Sequence, residues 1–295
     1  MKNILFRADS SSTIGTGHIM RDLVLAQQYP NNKIYFATQE LEGNLNSKIK
    51  ESGYEVVNLN SNDIDELDSL IKKLNIDLLI IDHYEINYEY EKELKIKNST
   101  LKIMVLDDTY EKHYCDILLN HSISADEGKY KDLVPNFCEL RCGSKYTLLR
   151  EEFLKEKEIQ RDKMYDSFIA MGGADTAELN TKILEILPKD KRVALVTTNA
   201  NRNLKDLKKY VKNKKNISLF INSNEMAKII NQSKLAIITP SVTVNEVYFL
   251  DTPFIAIKTA DNQEFMVDFL KKNDFLVMKE FIGNGLLDIL KGDIH

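Results

Sequence analysis

The stretch Asp9-Ser-Ser-Ser-Thr-Ile-Gly-Thr-Gly-His-Ile-Met-Arg21-Asp22 decides how this chain reads. Ahead of it, Ile4-Leu5-Phe6 is an apolar run of the kind that forms a strand buried in a parallel sheet. Behind it, Ile19, Leu23, Leu25 and Ala26 fall on one face of a helix. The order is therefore strand, small-residue loop, helix, with His18 where the helix begins. In an open α/β sheet that junction lies at the carboxyl ends of the strands, where ligands bind. Gly15 and Gly17 let a ligand approach the backbone, and free N–H groups at a helix start favour negative charge. An imidazole placed there titrates near neutral pH, as a proton acceptor should. A plainer reading stands beside this one. The third glycine of a dinucleotide fingerprint is missing, and a histidine at a helix start also serves as a capping or packing residue.

Working outward, 295 residues are long for one core, and two domains are expected, 1–150 and 151–295. Apolar residues at 43% and charged residues at 29% place the chain among soluble globular proteins. A net charge of −5 without a basic stripe argues against nucleic acid as a partner. No apolar run approaches membrane-spanning length and the start lacks a signal-peptide core, so a cytoplasmic protein without membrane attachment, and a monomer, is expected. Cys115, Cys138 and Cys142 are then reduced thiols. Cys138-x3-Cys142 lacks the second Cys/His pair that a tetrahedral metal site needs, so no metal is expected.

Along the first half, apolar strands alternate with helical segments. Lys33 to Thr38, Tyr54 to Leu59, Leu78 to Ile81, Leu101 to Leu106 and Ile117 to Asn120 read as strands, the last being the final one. Gly43 to Ser52, Asp63 to Leu74 (capped near Asn62) and Tyr88 to Lys95 read as helices. Repeated β-α is the signature of a doubly wound parallel sheet. Right-handed crossovers then gather Asp9, the Gly15–His18 loop, Asp82-His83-Tyr84, Asp107-Asp108 and Asn120-His121 on one rim. Strands that simply end at polar turns would look similar. Residues 121–164 break the rhythm, with a charged surface helix expected over Leu154 to Lys163.

The second half starts afresh. The strand Asp166 to Met171 runs into Gly172-Gly173, and a helix follows over Ala177 to Leu187. Further strands are read at Arg192 to Thr197, Ile217 to Ile221, Leu235 to Ile238 and Pro253 to Ile257, before a helix-rich tail that ends at an unremarkable His295. Strand, Gly-Gly, helix is a geometry that presents backbone N–H groups to phosphate. Helix starts after Gly173, after Ser241 and after Ala260 are expected on one rim. Glu246, one turn into its helix, can accept from a ribose diol or be an ordinary solvated helix residue.

These motifs carry a resemblance. Gly172-Gly173, Ser241-Val-Thr-x-x-Glu246, Pro253 and Asn262-Gln263 resemble the C-terminal half of GT-B enzymes, in which two Rossmann-like domains face each other across a cleft. The likeness is greatest to the UDP-N-acetylglucosamine transferase of peptidoglycan synthesis. The N-terminal half is similar to the UDP-sugar hydrolases of pseudaminic acid biosynthesis. It carries Phe6-Arg-x-Asp-Ser-Ser-Ser-x-Ile-Gly-x-Gly-His-Ile-x-Arg-Asp-Leu23, Ile80-Ile-Asp-His-Tyr84, Cys115-Asp-Ile-Leu-Leu-Asn120, Arg141-Cys-Gly143 and Leu149-Arg-Glu-Glu-Phe153. That resemblance implies release of UDP from UDP-2,4-diacetamido-2,4,6-trideoxy-β-L-altrose, on a route to a nonulosonic acid used in flagellin glycosylation. It assigns His18 as the base that activates water, with no cofactor. It also implies that the glycines and Ser241, Val242 and Thr243 hold the diphosphate, Glu246 the ribose, and Asn262 and its polar neighbours Gln263 and Glu264 the sugar. Gly15, Gly17 and Arg21 are expected at the substrate in the first domain.

The residues permit this chemistry. UDP is a good leaving group, so one base suffices, and a single displacement at C1 inverts configuration. Tyr84 is the candidate for positioning sugar or water, with a packing role as the alternative, and His83 is expected to point into the fold. No Asp-x-Asp diphosphate–metal motif stands in a suitable place. The competing reading is a GT-B glycosyltransferase using a UDP-N-acetylhexosamine donor, with an acceptor in place of water.

Overall fold

The chain divides into two compact units, Met1–Leu148 and Leu149–His295. The computed structural model describes residues 1–291, so His295 lies outside the described residues. Among these, the first unit holds a seven-stranded sheet. Its strands are β1 (Asn3–Ala8), β2 (Lys33–Gln39), β3 (Glu55–Leu59), β4 (Leu78–Asp82), β5 (Lys102–Leu106), β6 (Ile117–Asn120) and β7 (Glu139–Cys142). They lie in the order β3-β2-β1-β4-β5-β6-β7, every pair parallel. Side-chain alternation in β1 feeds two apolar layers. Ile4, Phe6 and Ala8 pack with Ile19, Leu23 and Ala26 on one face, and Leu5 packs with Leu67, Leu70 and Ile71 on the other.

The second unit repeats the scheme in six strands, β8 (Ser167–Ala170), β9 (Val193–Thr197), β10 (Ile217–Ile221), β11 (Ala236–Ile238), β12 (Phe254–Ile257) and β13 (Leu276–Met278). The order is β10-β9-β8-β11-β12-β13, again parallel throughout. In both sheets the strand order reverses beside the first strand, between β1 and β4 and between β8 and β11. The crevice at such a switch point is where open α/β sheets bind ligands. The loops there are Asp9 to Thr16 and Asp82 to Tyr84 in one unit, and Gly172-Gly173 and Thr239 to Ser241 in the other.

Four expectations change. Ile117–Asn120 is not the last strand of its sheet, because Glu139–Cys142 adds an edge strand beside it. That strand is short and carries Glu139 and Arg141, which suits an exposed edge and hides its β character. The charged stretch is helical only over Glu151–Lys157. Beyond it the chain folds back, and Glu156 accepts hydrogen bonds from Arg161 and from Asn231 (2.9 Å). The tail contains β13, paired with β12 through Ile255 and Leu276. Finally, the helix after Gly173 starts at Leu179 rather than Ala177.

Candidate active site

The loop after β1 closes on itself before the helix Gly17–Ala26 begins. Ser11 and Gly15 exchange two backbone hydrogen bonds (3.2 and 2.9 Å), and the Ser11 hydroxyl accepts from the N–H groups of Thr13 and Ile14. Gly15 sits at φ +90°, a left-handed conformation that a side chain disfavours. A Cβ at either Gly15 or Gly17 would meet open space, so neither glycine is there for packing.

This loop delivers His18 to the end of β4. Its Nδ1 lies 2.8 Å from Asp82 Oδ1 and 3.0 Å from the Asp82 carbonyl oxygen. Both are pure acceptors, so Nδ1 carries the ring proton and Nε2 keeps its lone pair. Burial pulls the imidazole pKa down, but the hydrogen bond and charge of Asp82 outweigh it, and the net shift is upward from 6.5. Asp82 is buried and is itself held by Arg21, whose Nε donates to Oδ2 at 2.6 Å and whose Nη2 donates to Oδ1. Burial alone would raise this carboxyl, yet the Arg21 charge and donors hold it well below the usual carboxylate range. Arg21 Nη1 also donates to Asp108 Oδ2 (3.0 Å), and the Tyr84 hydroxyl donates to Asp108 Oδ1 (3.0 Å). The chain of contacts closes where Tyr84 meets His18 edge-on, ring centroids 4.9 Å apart. Burial and the charge of Asp108 push the Tyr84 phenol up to about 12, so it stays a proton donor.

Behind this set lie two further buried titratable groups. Asp22, one turn beyond His18, is fully buried with no hydrogen-bond partner for either carboxyl oxygen. Burial and the neighbouring Asp82 charge raise its pKa well above the usual carboxylate value. His121, at the end of β6, is pushed down to about 4 by burial and by the Arg21 charge.

A second network flanks the first. Arg7, fully buried inside β1, donates to Asp9 Oδ2 (2.8 Å), to the Ala37 carbonyl and to Asn62. His83 Nδ1 accepts from the Glu85 N–H, so Nε2 is its donor, and it reaches Asp9 Oδ2 at 3.1 Å. His83 is thus tied to Asp9, with its ring on the wall of the cavity that His18 and Tyr84 also line. Asp107 belongs to a separate structural cluster with His113, Tyr130 (2.6 Å) and Thr109, and against the upward pull of burial His113 first, then Tyr130 and Thr109, bring its carboxyl down to about 2.

His18, Tyr84, His83, Asp9, Ile14 and Leu41 line a cavity of about 260 Å³, open on one side, with Asp82 at its floor. A larger, more open recess of about 610 Å³ is lined by Asn62, Ile64, Tyr90 and Ile96 and does not include His18. Gly15, Gly17, His18, Arg21 and Tyr84 are therefore brought together at one switch point. Arg21 spends its donors on Asp82 and Asp108.

In the second unit the switch point is built mainly from backbone and uncharged side chains, with carboxylates at its margins. Gly172 adopts φ +78°, and a Cβ on Gly173 would lie 2.8 Å from Thr198 Cγ2. The Gly173 carbonyl accepts from Thr198 N (3.1 Å) and from the hydroxyls of Thr197 (3.1 Å) and Thr198 (2.9 Å). The following helix end is already capped, since Asp175 accepts from Leu179 N (2.9 Å) and Asn180 N (3.1 Å). The helix Val242–Phe249 has Ser241 at its N-cap position without a side-chain cap, Val242 is exposed and Thr243 is half-buried. The loops after β11 and β12 are tied together by Gln263. Its Nε2 donates to Thr239 Oγ1 (2.8 Å) and its Oε1 accepts from Thr259 N (2.8 Å). Asn262 is exposed beside it, and Glu264 pairs with Lys258. Glu246 Oε1 accepts from Arg150 Nη2 (3.0 Å); burial raises its pKa more than Arg150 lowers it.

The sequence reading placed Asp108 on the rim and quoted Arg7 and Arg150 within motifs, but gave none of the three a role. Arg7 left a usable signal, a charge in the middle of an aliphatic strand, which must be paired if it is buried. Asp108 showed its place at a strand end but not its partners, and Arg150 showed neither, because their roles depend on partners distant in sequence.

No family model matches the chain. Among known proteins, it is 46% identical over 274 residues to the UDP-2,4-diacetamido-2,4,6-trideoxy-β-L-altropyranose hydrolase of Campylobacter jejuni, covering 93% of this chain and 98% of that protein. It is 30% identical to the Methanocaldococcus jannaschii protein MJ1062, covering 97% of this chain and 62% of that longer protein. Among solved structures, Acinetobacter baumannii MurG superposes with a TM-score of 0.64 over 100% of this chain and 91% of that one, at 13% identity. That likeness is one of fold, and the fold is GT-B.

Proposed function

The chain belongs to the family of UDP-2,4-diacetamido-2,4,6-trideoxy-β-L-altropyranose hydrolases, and from that premise we propose that it frees UDP from this sugar nucleotide by attack of water at the anomeric carbon. His18 is the base. The observation that carries this reading is the pairing of Nδ1 with two acceptors of Asp82, which leaves Nε2 to take the proton of water. Asp82 fixes the tautomer and stabilises the imidazolium as it forms, Arg21 holds Asp82, and Asp108 holds Arg21. Arg21 is thus a positioning residue rather than a substrate contact. Tyr84, a retained proton donor at the cavity mouth, orients the sugar or the water, and the open space over Gly15 and Gly17 admits the sugar.

The second unit is proposed to hold UDP. Backbone N–H groups around Gly172-Gly173 and Ser241-Val242-Thr243 receive the diphosphate, and Glu246 the ribose. Because Asp175 caps the helix at Leu179, the glycine loop rather than the helix end supplies donors on that side. Asn262 is free to meet the sugar, with Gln263 and Glu264 shaping its loop. Donors aimed at the diphosphate stabilise the charge that develops on the leaving group, so no carboxylic acid and no metal is required. Attack from the face opposite UDP inverts C1.

The same membership supports a place in pseudaminic acid biosynthesis, and we take the protein to work as a cytoplasmic monomer. No described helix is long and apolar enough to cross a membrane. Incubated with the UDP-diacetamido sugar, chelator and no acceptor, the protein should release UDP steadily until substrate is consumed. Release that waits for an added sugar or lipid acceptor would favour the transferase reading, and release that needs magnesium would return a metal to the diphosphate.

A further inference from the structure

The cysteines, which the proposed chemistry leaves unused, are not equivalent. Cys115 precedes β6 and is 1% exposed, whereas Cys138 precedes β7 and is half-buried. Their Sγ atoms lie 3.6 Å apart. The backbone brings them together, since Glu139 N donates to the Asp116 carbonyl at 2.9 Å and Glu139 is in register with Ile117. Cys142, at the far end of β7, has no such contact with either. We propose that Cys115 and Cys138 form a peroxide-reactive dithiol, in which the reachable Cys138 is oxidised first and the buried Cys115 resolves it to an intramolecular disulfide.

The atoms balance in two steps. The Cys138 thiolate attacks one oxygen of a hydroperoxide, the O–O bond breaks, and Cys138 sulfenic acid and water (or an alcohol) leave the step. The Cys115 sulfur then attacks Cys138 Sγ, the S–O bond breaks, and the hydroxyl departs as water with the Cys115 proton. Two thiols and one peroxide thus yield one disulfide. Two features favour this order. Only Cys138 is accessible to an oxidant. The contact with Cys115 also lowers the Cys138 pKa while the Cys138 contact and burial raise that of Cys115, so Cys138 is the sulfur that ionises more readily. The remaining approach, from 3.6 Å to about 2.05 Å for a disulfide, needs side-chain rotation at adjacent strand starts rather than a change of fold. Cys115 and Cys138 precede strands β6 and β7, whereas His18 and Asp82 lie at carboxyl ends, so bond formation should leave hydrolysis within about twofold of the reduced enzyme.

The test uses the full chain, reduced, freed of reductant and treated with one equivalent of hydrogen peroxide, then alkylated and mapped by peptide mass spectrometry. The expected product has lost two hydrogens, carries a Cys115–Cys138 cross-link, and retains an alkylatable Cys142. In Cys115→Ser, Cys138 should stop at a dimedone-trappable sulfenic acid or proceed to sulfinic acid, and in Cys138→Ser, Cys115 should stay unoxidised. Wild-type Cys138 oxidised to sulfinic acid beside a free Cys115 thiol would overturn the proposal, as would a cross-link through Cys142. Should a variant fail to fold, the wild-type map decides alone.

Discussion

The two units share a strand order but furnish their switch points with different materials. In the first, charged side chains are paired inside an aliphatic sheet: His18 with Asp82 and Arg21, Arg7 with Asp9. In the second, the equivalent place is made of glycine backbone, threonine hydroxyls and the Gln263 amide, with Asp175 buried beside the glycine loop and a half-buried Glu246 against Arg150. Buried ion pairs are costly to assemble and add little stability for the desolvation they require. Their presence in one unit points to work that needs a controlled proton, whereas neutral donors in the other suit an anion that must be held and then released. The same fold is divided by chemistry, and each substitution below presses on one side of that division.

The largest effect is expected at His18. His18→Asn should keep the fold and UDP affinity while turnover falls roughly 10²–10⁴-fold, with kcat falling far more than KM rises. Equal loss of UDP affinity, measured by calorimetry, would erase the separation between the units. Asp82→Asn should follow with a smaller loss, since the backbone carbonyl of residue 82 still accepts from Nδ1 and can hold the tautomer. It carries a second signature. The base works as neutral imidazole and its pKa is raised by Asp82, so the acid limb of kcat/KM in the wild type should lie above pH 6.5. Removing the carboxylate leaves burial and the Arg21 charge, both of which lower the pKa, so the limb should move to lower pH. A limb that stays in place would mean that another group titrates. Smaller still is Glu246→Ala, which should weaken UDP binding by about 1.5–3 kcal/mol, the worth of a hydrogen bond to a charged group, and leave the pH profile unmoved. Unchanged UDP affinity would remove the ribose assignment.

The fold was largely legible because alternation of aliphatic strands with amphipathic helices is a local signal. What escaped was local signal that was weak or conflicting. Glu139–Cys142 is four residues long with charges at an edge, and Leu276–Met278 is three residues long inside a helical tail. The candidate site was legible in part. The Gly15–His18 loop and the Asp82-His83-Tyr84 strand end announce themselves by position. The Arg21–Asp82 clamp does not, because Arg21 and Asp82 are 61 residues apart and meet only when β1 and β4 pair. The Asp175 cap was equally hidden. An aspartate after Gly-Gly reads as loop polarity until its two oxygens are found on Leu179 and Asn180.

The central claim, that water activated by His18 attacks carbon rather than phosphorus, is tested most directly by running the reaction in ¹⁸O-water and weighing both products. The account predicts the label in the sugar at C1 and none in UDP. Label in UDP would place the attack on the diphosphate and take from His18 the role given to it.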